Sequence, residues 1–88
     1  MLDLLVTPQF RKDLKKIPQT ILTVADVVII SLRSNPLDPK FDIKKLVNFK
    51  PAMWRLRIGQ YRLVYSFDKQ SLILHRFRHR KDIYRDFN

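Results

Sequence analysis

The stretch Trp54–Phe67, WRLRIGQYRLVYSF, restricts the possible folds more than any other part of this chain. Trp54, Leu56 and Ile58 alternate with Arg55 and Arg57. Past Gly59-Gln60, Tyr61, Leu63, Tyr65 and Phe67 alternate with Arg62, Val64 and Ser66. Strand side chains change face with period two, so each run can bury one face and show the other. Gly59 is the only glycine in the chain. A Gly-x step between two such runs signals a type II′ hairpin, because glycine alone takes positive φ without steric cost. Closing that hairpin places Arg55, Arg57 and Arg62 on adjacent strands and one face, a guanidinium surface suited to phosphate. The same arginines also fit a solvated face that keeps a sheet soluble and blunts its edge. The stretch alone does not choose between the two.

Charge narrows the choice. Eighteen Lys and Arg face eight acids, all Asp, for a formal charge of +10 and a pI near 10.4. Such a balance points to a polyanionic partner: nucleic acid, the ribosome or an acidic protein. With 88 residues the chain makes one domain, 1–88, with a single core; this size buries only about 60–65% of the unfolded surface. There is no cysteine, so disulfide scaffolds, thiolate nucleophiles and zinc knuckles are excluded, and a reducing cytoplasm is the expected location. The apolar start Met1–Val6 is too short for a signal peptide or a membrane span.

In chain order, Met1–Val6 predicts a short strand. Thr7 suits an N-cap and Pro8 a first helical position, where its missing N–H is harmless. Phe10, Leu14 and Ile17 then hold helical spacing over Pro8–Ile17, with Arg11, Lys12, Lys15 and Lys16 on the solvated side. Pro18 opens a second helix, running to about Ser34. Its β-branched residues favour a strand, but sixteen residues without a turn signal exceed a usual strand length. Ile21, Val24, Val28 and Leu32 hold helical spacing, and the two helices form a hairpin on one face of the sheet. Asn35–Met53, with three prolines, predicts a connector tacked down by Leu37, Phe41, Ile43, Leu46 and Phe49. Lys40, Lys44, Lys45 and Lys50 add charge to it. After a turn at Asp68–Ser71, Leu72–Phe77 predicts a third strand of the meander. The basic tail with Arg78, His79, Arg80, Lys81, Tyr84 and Arg85 is then delivered beside the arginine face. Tyr84 and Phe87 favour a tail packed on a surface over a frayed end.

Two of these segments together resemble a known family. W-R-L-R-I-G-x-Y-R-L-V-Y at Trp54–Tyr65 and H-R-K-D-I-Y-R at His79–Arg85 are similar to signatures of the RelE/ParE superfamily of bacterial toxin–antitoxin systems. The connector Pro36-Leu37 … Lys45-Leu46 resembles that family too. The resemblance implies an α+β fold: an N-terminal strand and helical hairpin packed on a small twisted antiparallel sheet, in the RelE-like order β-α-α-β-β-β. It implies an mRNA endoribonuclease working in the ribosomal A site without metal or cofactor, the RNA 2′-hydroxyl attacking the adjacent phosphate. Carried over by position, Arg55, Arg57, Arg62, Arg80 and Tyr84 are the catalytic candidates, with Arg78 a rival to Arg80. Some relatives carry lysine at the positions of Arg55 and Arg57. Arginine does not shed its proton, which leaves His79 as the candidate general base. His75, inside a strand, reads as structural. Lys45, Lys50, Arg78 and Arg85 are candidates for RNA binding. The partners implied are an acidic antitoxin, mRNA and the ribosome, with operator DNA reached only through the toxin–antitoxin complex and no membrane. The alternatives are a ParE-like gyrase inhibitor without nuclease chemistry and a decayed member that only binds RNA.

Overall fold

A computed structural model of the chain describes residues 1–86, and its architecture follows from the hairpin outward. Strands β3 (Trp54–Ile58) and β4 (Tyr61–Phe67) pair antiparallel with Ile58 opposite Tyr61, so Gly59-Gln60 is a two-residue turn. Gly59 has φ +58°. A Cβ there would meet only Ile21 Cδ1 at 3.8 Å, so glycine is needed for its backbone angle rather than for space. Strand β5 (Ser71–His79) returns along β4, and helix α3 (Arg80–Asp86) follows it directly.

The N-terminal strand β1 (Asp3–Val6) joins the far side of β5 in parallel. Ile43–Lys45 forms a short strand, β2, antiparallel to β3. The sheet therefore has five strands in the order β1-β5-β4-β3-β2 and is mixed rather than purely antiparallel. The expected outline of strand, two helices and meander stands, with β2 and α3 added. Three residues of connector are too few to display an alternation, which is why β2 has no sequence signal. The parallel pairing follows from the helical crossover, which carries the chain back to the end of the sheet from which it started.

Thr7 starts α1 (Pro8–Leu14) as expected: its Oγ1 accepts from the Phe10 N–H at 3.1 Å, and Pro8 opens the helix. The Thr7 hydroxyl also donates to His75 O at 2.9 Å, fixing the helix start to β5. Helix α2 (Gln19–Ser34) is a helix despite its valines and isoleucines. Burial of one stripe outweighs local propensity there. That stripe is Ala25, Val28 and Leu32, whereas Val24, expected inside, is 49% exposed. Val28 and Leu32 are buried and Ile21 packs against the core as expected, and Ala25 takes the inward place expected of Val24.

The core lies between the helices and one sheet face. Phe10, Ile17, Ala25, Val28 and Leu32 meet Leu56, Ile58, Leu63, Tyr65, Leu72, Leu74 and Phe77. Phe10 and Phe77 stack with ring centroids 6.2 Å apart. The Tyr65 hydroxyl donates to Pro36 O at 2.6 Å, tying the connector to the sheet, and burial pushes its phenol above the usual range.

The β4–β5 ladder is interrupted. Val64 faces Arg76 while Tyr65 faces Leu74, which leaves His75 as an extra residue in β5. This β-bulge lets Leu72, Leu74 and Phe77 all reach the core. The His75 ring is bonded through Nε2 to Ser66 Oγ at 2.7 Å, and burial holds its imidazole below the ordinary value of 6.5. The neutral ring is the form that the fold favours. Its contribution to stability is thus complete above that ordinary value and is lost as acid takes the pH down through the lowered one. A His75→Gln variant should lose less melting temperature than the wild type between about pH 7.5 and about pH 5.5. Equal losses in both proteins would refute this role.

Candidate nucleic-acid interface

The sheet face turned away from the core carries the arginines. Arg57 lies opposite Arg62 in the β3–β4 pair, and Arg62 lies opposite Arg78 in the β4–β5 pair. Three guanidinium side chains thus start from one row across three strands, with neighbouring strands about 4.8 Å apart. The next row of the same face runs Lys44, Arg55, Val64, Arg76. Like charges directly opposite one another destabilise a sheet, so this arrangement does not serve stability.

The face is not simply solvated. Arg55 is 9% exposed and Arg62 only 6%, while Arg57 is exposed. Arg62 folds back on the hairpin turn, where its Nη1 donates to Gly59 O at 2.9 Å and Tyr61 O at 3.0 Å. Its Nε is buried with no hydrogen-bond partner among the described residues. A buried donor left unpaired is costly. Helix α3 lies against β5 and β4, and its Ile83 is buried at 2% exposure outside the main core. The Arg80 N–H donates to Gln60 O at 2.8 Å, pinning the start of α3 to the hairpin turn.

The remaining candidates fall as follows. Arg78 completes the row with Arg57 and Arg62, whereas Arg80 opens α3 beside the turn. Tyr84 and Arg85 lie on α3, and their side chains fall outside the described residues. Lys45 pairs with Trp54 and places its Nζ 5.8 Å from that ring's centroid, on the opposite face from Arg55. Lys44, which the sequence reading left unassigned, shares the Arg55 row instead. Lys50 is exposed in the connector.

His79 lies opposite Tyr61, and the two rings meet edge to face at 5.4 Å. Alternation along β5 puts it on the other side of the sheet from Arg78. Its Nδ1 accepts the Lys81 N–H at 3.2 Å, so a neutral ring carries its proton on Nε2. In that state His79 is a donor and not a base.

Asp13 has a part that its sequence context among lysines concealed. It is 8% exposed and accepts from Arg76 Nε at 2.9 Å, Arg76 Nη2 at 3.1 Å and the Phe77 N–H at 2.9 Å. The carboxylate thereby covers the free edge of β5 beyond the reach of β1 and holds Arg76. Between α1 and this end of β5 lies an open cleft of about 510 Å³, bordered by Lys12, Lys16, Tyr61, Phe77 and His79, with Arg78 at its sheet side. Among the described residues no cluster of three His or Asp is placed to hold a metal ion. No described helix is long and apolar enough to cross a membrane.

Comparison with known proteins gives consistent matches. Residues 4–84 match the family model described as ParE toxin of type II toxin-antitoxin system, parDE. Toxin RelE3 of Methanocaldococcus jannaschii is 38% identical over 77 residues, covering 85% of this chain and 86% of the relative. The crystal structure of a RelB-RelE antitoxin-toxin complex from Methanococcus jannaschii aligns with TM-score 0.81 and 34% identity, over 96% of this chain and 99% of that one. An archaeal RelE-RelB complex from Pyrococcus horikoshii shares the fold at TM-score 0.78 and 22% identity, over 92% and 97% of the two chains.

Proposed function

Because the chain belongs to the ParE toxin family of type II toxin–antitoxin systems, we propose that this toxin is a RelE-like endoribonuclease that cleaves mRNA on the ribosome. The observation that carries the reading is the single row of Arg57, Arg62 and Arg78. In-line attack by a 2′-oxygen on the neighbouring phosphorus builds negative charge on the phosphoryl oxygens. Guanidinium groups pair with such oxygens bidentately and stay charged at every accessible pH. Donors fixed beforehand around developing charge are each worth about 10²–10³ in rate. Held by its own turn, Arg62 is the most firmly positioned of the three.

Arg57 is accessible for the first contact with the strand, and Arg55 and Lys44 extend the cationic face along the backbone. Arg80 stands at the turn, and Tyr84 and Arg85 are carried on α3. Tyr84 is assigned to base stacking or to orienting the attacking hydroxyl. With His79 donating through Nε2, its part is to give a hydrogen bond; solvent water takes the 2′-hydroxyl proton and returns one to the departing 5′-oxygen, while the row stabilises the alkoxide and the charged phosphoryl oxygens.

The partner that fits a face of this charge is an acidic antitoxin, as RelB accompanies RelE in the related complexes. Operator DNA would be reached through that complex. The match to the ParE model favours a second reading, a gyrase inhibitor without nuclease chemistry. Induced expression separates the two. The expected result is messages cut within codons on ribosomes, with no trapped gyrase–DNA breaks. Trapped breaks with intact messages would overturn the nuclease reading.

A further inference from the structure

The row of arginines leaves the cleft between α1 and β5 without a part. It lies along β5 on the α1 side and shares Arg78 with that row, and its chemistry is not that of a solvated helix face. Lys12 and Lys16, four residues apart, stand exposed on one wall, and neither forms an ion pair among the described residues. Ile17 and Phe77 form an apolar floor. Tyr61 packs edge-on against both Phe77, at 6.2 Å, and His79, at 5.4 Å, giving a fixed aromatic corner.

Two carboxylates border the cleft. Asp13 is fully engaged by Arg76 and the Phe77 N–H, so its charge is already answered. Asp82, on the first turn of α3, also lines the cleft and forms no ion pair among the described residues. A volume of about 510 Å³ is in the range of small-ligand sites, which combine apolar walls with a few convergent polar groups.

We propose that this cleft binds a nucleoside monophosphate, its phosphate held by Lys12 and Lys16 and its base against Tyr61 and His79. A bare anion would leave the aromatic corner and the apolar floor unused, whereas a nucleotide occupies all three. Stacking on aromatic side chains is tolerant of base identity, and a lysine pair contributes charge without reading sequence. Asp82 adds selectivity, since a carboxylate accepts from an exocyclic amine and repels a second phosphate. Adenine and cytosine should therefore be preferred to uracil. The Nε2–H of His79 is a donor to the ligand. The nucleotide is either one residue of an RNA strand that also crosses the arginine row, with Arg78 between the two sites, or a free nucleotide. The first source rests on the nuclease reading above; the second does not.

The test is a titration of isotope-labelled toxin with AMP, UMP and inorganic phosphate, followed by amide chemical shifts. AMP should move Lys12, Lys16, Tyr61 and His79 and bind more tightly than UMP or phosphate. The Lys12→Ala/Lys16→Ala double variant alters exposed side chains only and should weaken AMP roughly tenfold or more. Lys69→Ala, exposed on the β4–β5 turn and outside the cleft lining, should bind AMP as the wild type does. A parallel arm measures the salt dependence of binding to a 2′-O-methylated, uncleavable oligonucleotide. If the ligand is part of the strand, the double variant lowers the salt slope by about 0.7 for the one single-strand phosphate that the two lysines hold. A lost AMP site with an unchanged slope identifies a free nucleotide instead. Shifts confined to the arginine row, or equal AMP affinity in wild type and double variant, would overturn the proposal. Failure of the nuclease reading is seen separately, as intact messages.

Discussion

Arg62→Met should slow message cleavage severely while leaving the domain about as stable as before. The two halves of this expectation have different physical origins. Arg62 lies between Arg57 and Arg78 on neighbouring strands, is 6% exposed and keeps its Nε buried without a partner among the described residues. Desolvation, two opposed like charges and an orphan donor all weigh against the folded state. The bonds to Gly59 O and Tyr61 O weigh for it. Methionine has a similar length and no charge, and replacing buried ionic groups by apolar ones of similar volume is often neutral or better. Urea denaturation should place the variant within about 1 kcal/mol of the wild type. Single-turnover cleavage on programmed ribosomes should meanwhile fall by about 10²–10³, the effect of losing one fixed donor to developing charge. A stable, folded Arg62→Met protein that cuts at the wild-type rate would remove Arg62 from the catalytic set.

The largest loss of stability is expected from Asp13→Ala. One carboxylate there joins two elements distant in sequence, accepting three hydrogen bonds from the Arg76 side chain and the Phe77 backbone. Its removal strands an amide donor at the edge of β5 and leaves a partly buried guanidinium without its anion. Breaking one side of such a pair costs about 2–4 kcal/mol after allowance for the partial exposure of Arg76. In a domain of this size that lowers the melting temperature by roughly 10–25 °C. Asp13→Asn keeps the shape and an oxygen acceptor, so it should fall between the two. Thermal unfolding followed by circular dichroism reads all three proteins. A loss below about 0.5 kcal/mol, the usual range for surface substitutions, would show that the pair contributes little to stability.

The hairpin was readable because two independent signals coincide there. Alternation sets the faces, and a lone glycine sets the turn. Their agreement places Arg57 opposite Arg62, since a two-residue turn admits only one register. Burial of Arg55 and Arg62 on that face was not readable from the alternation alone, and α3's polar residues resemble a tail until Ile83 is seen packed. The bulge at His75 was hidden for a related reason. Ile73, His75, Phe77 and His79 look like one alternating set, and only the partners on β4 reveal where the alternation slips. Asp13 was equally silent, because its partners lie sixty-three and sixty-four positions away. Lys44 and Lys45 differ only in which side of a three-residue strand they leave from, and a connector carries no period to tell them apart. What stays local in the chain was legible; what depends on a distant partner was not.

The supernumerary residue in β5 also divides that strand into two segments of opposite phase. Ahead of it, even-numbered positions enter the core; beyond it, odd-numbered ones do. Deleting His75 would close the bulge and keep Phe77 inside. Pairing the strand regularly with His75 retained would instead exchange inside and outside for everything downstream, turning Phe77 towards solvent and Arg78 into the hydrocarbon interior. Evolution can vary the side chains along this strand one by one, but its length behaves as a parity bit for the whole cationic surface.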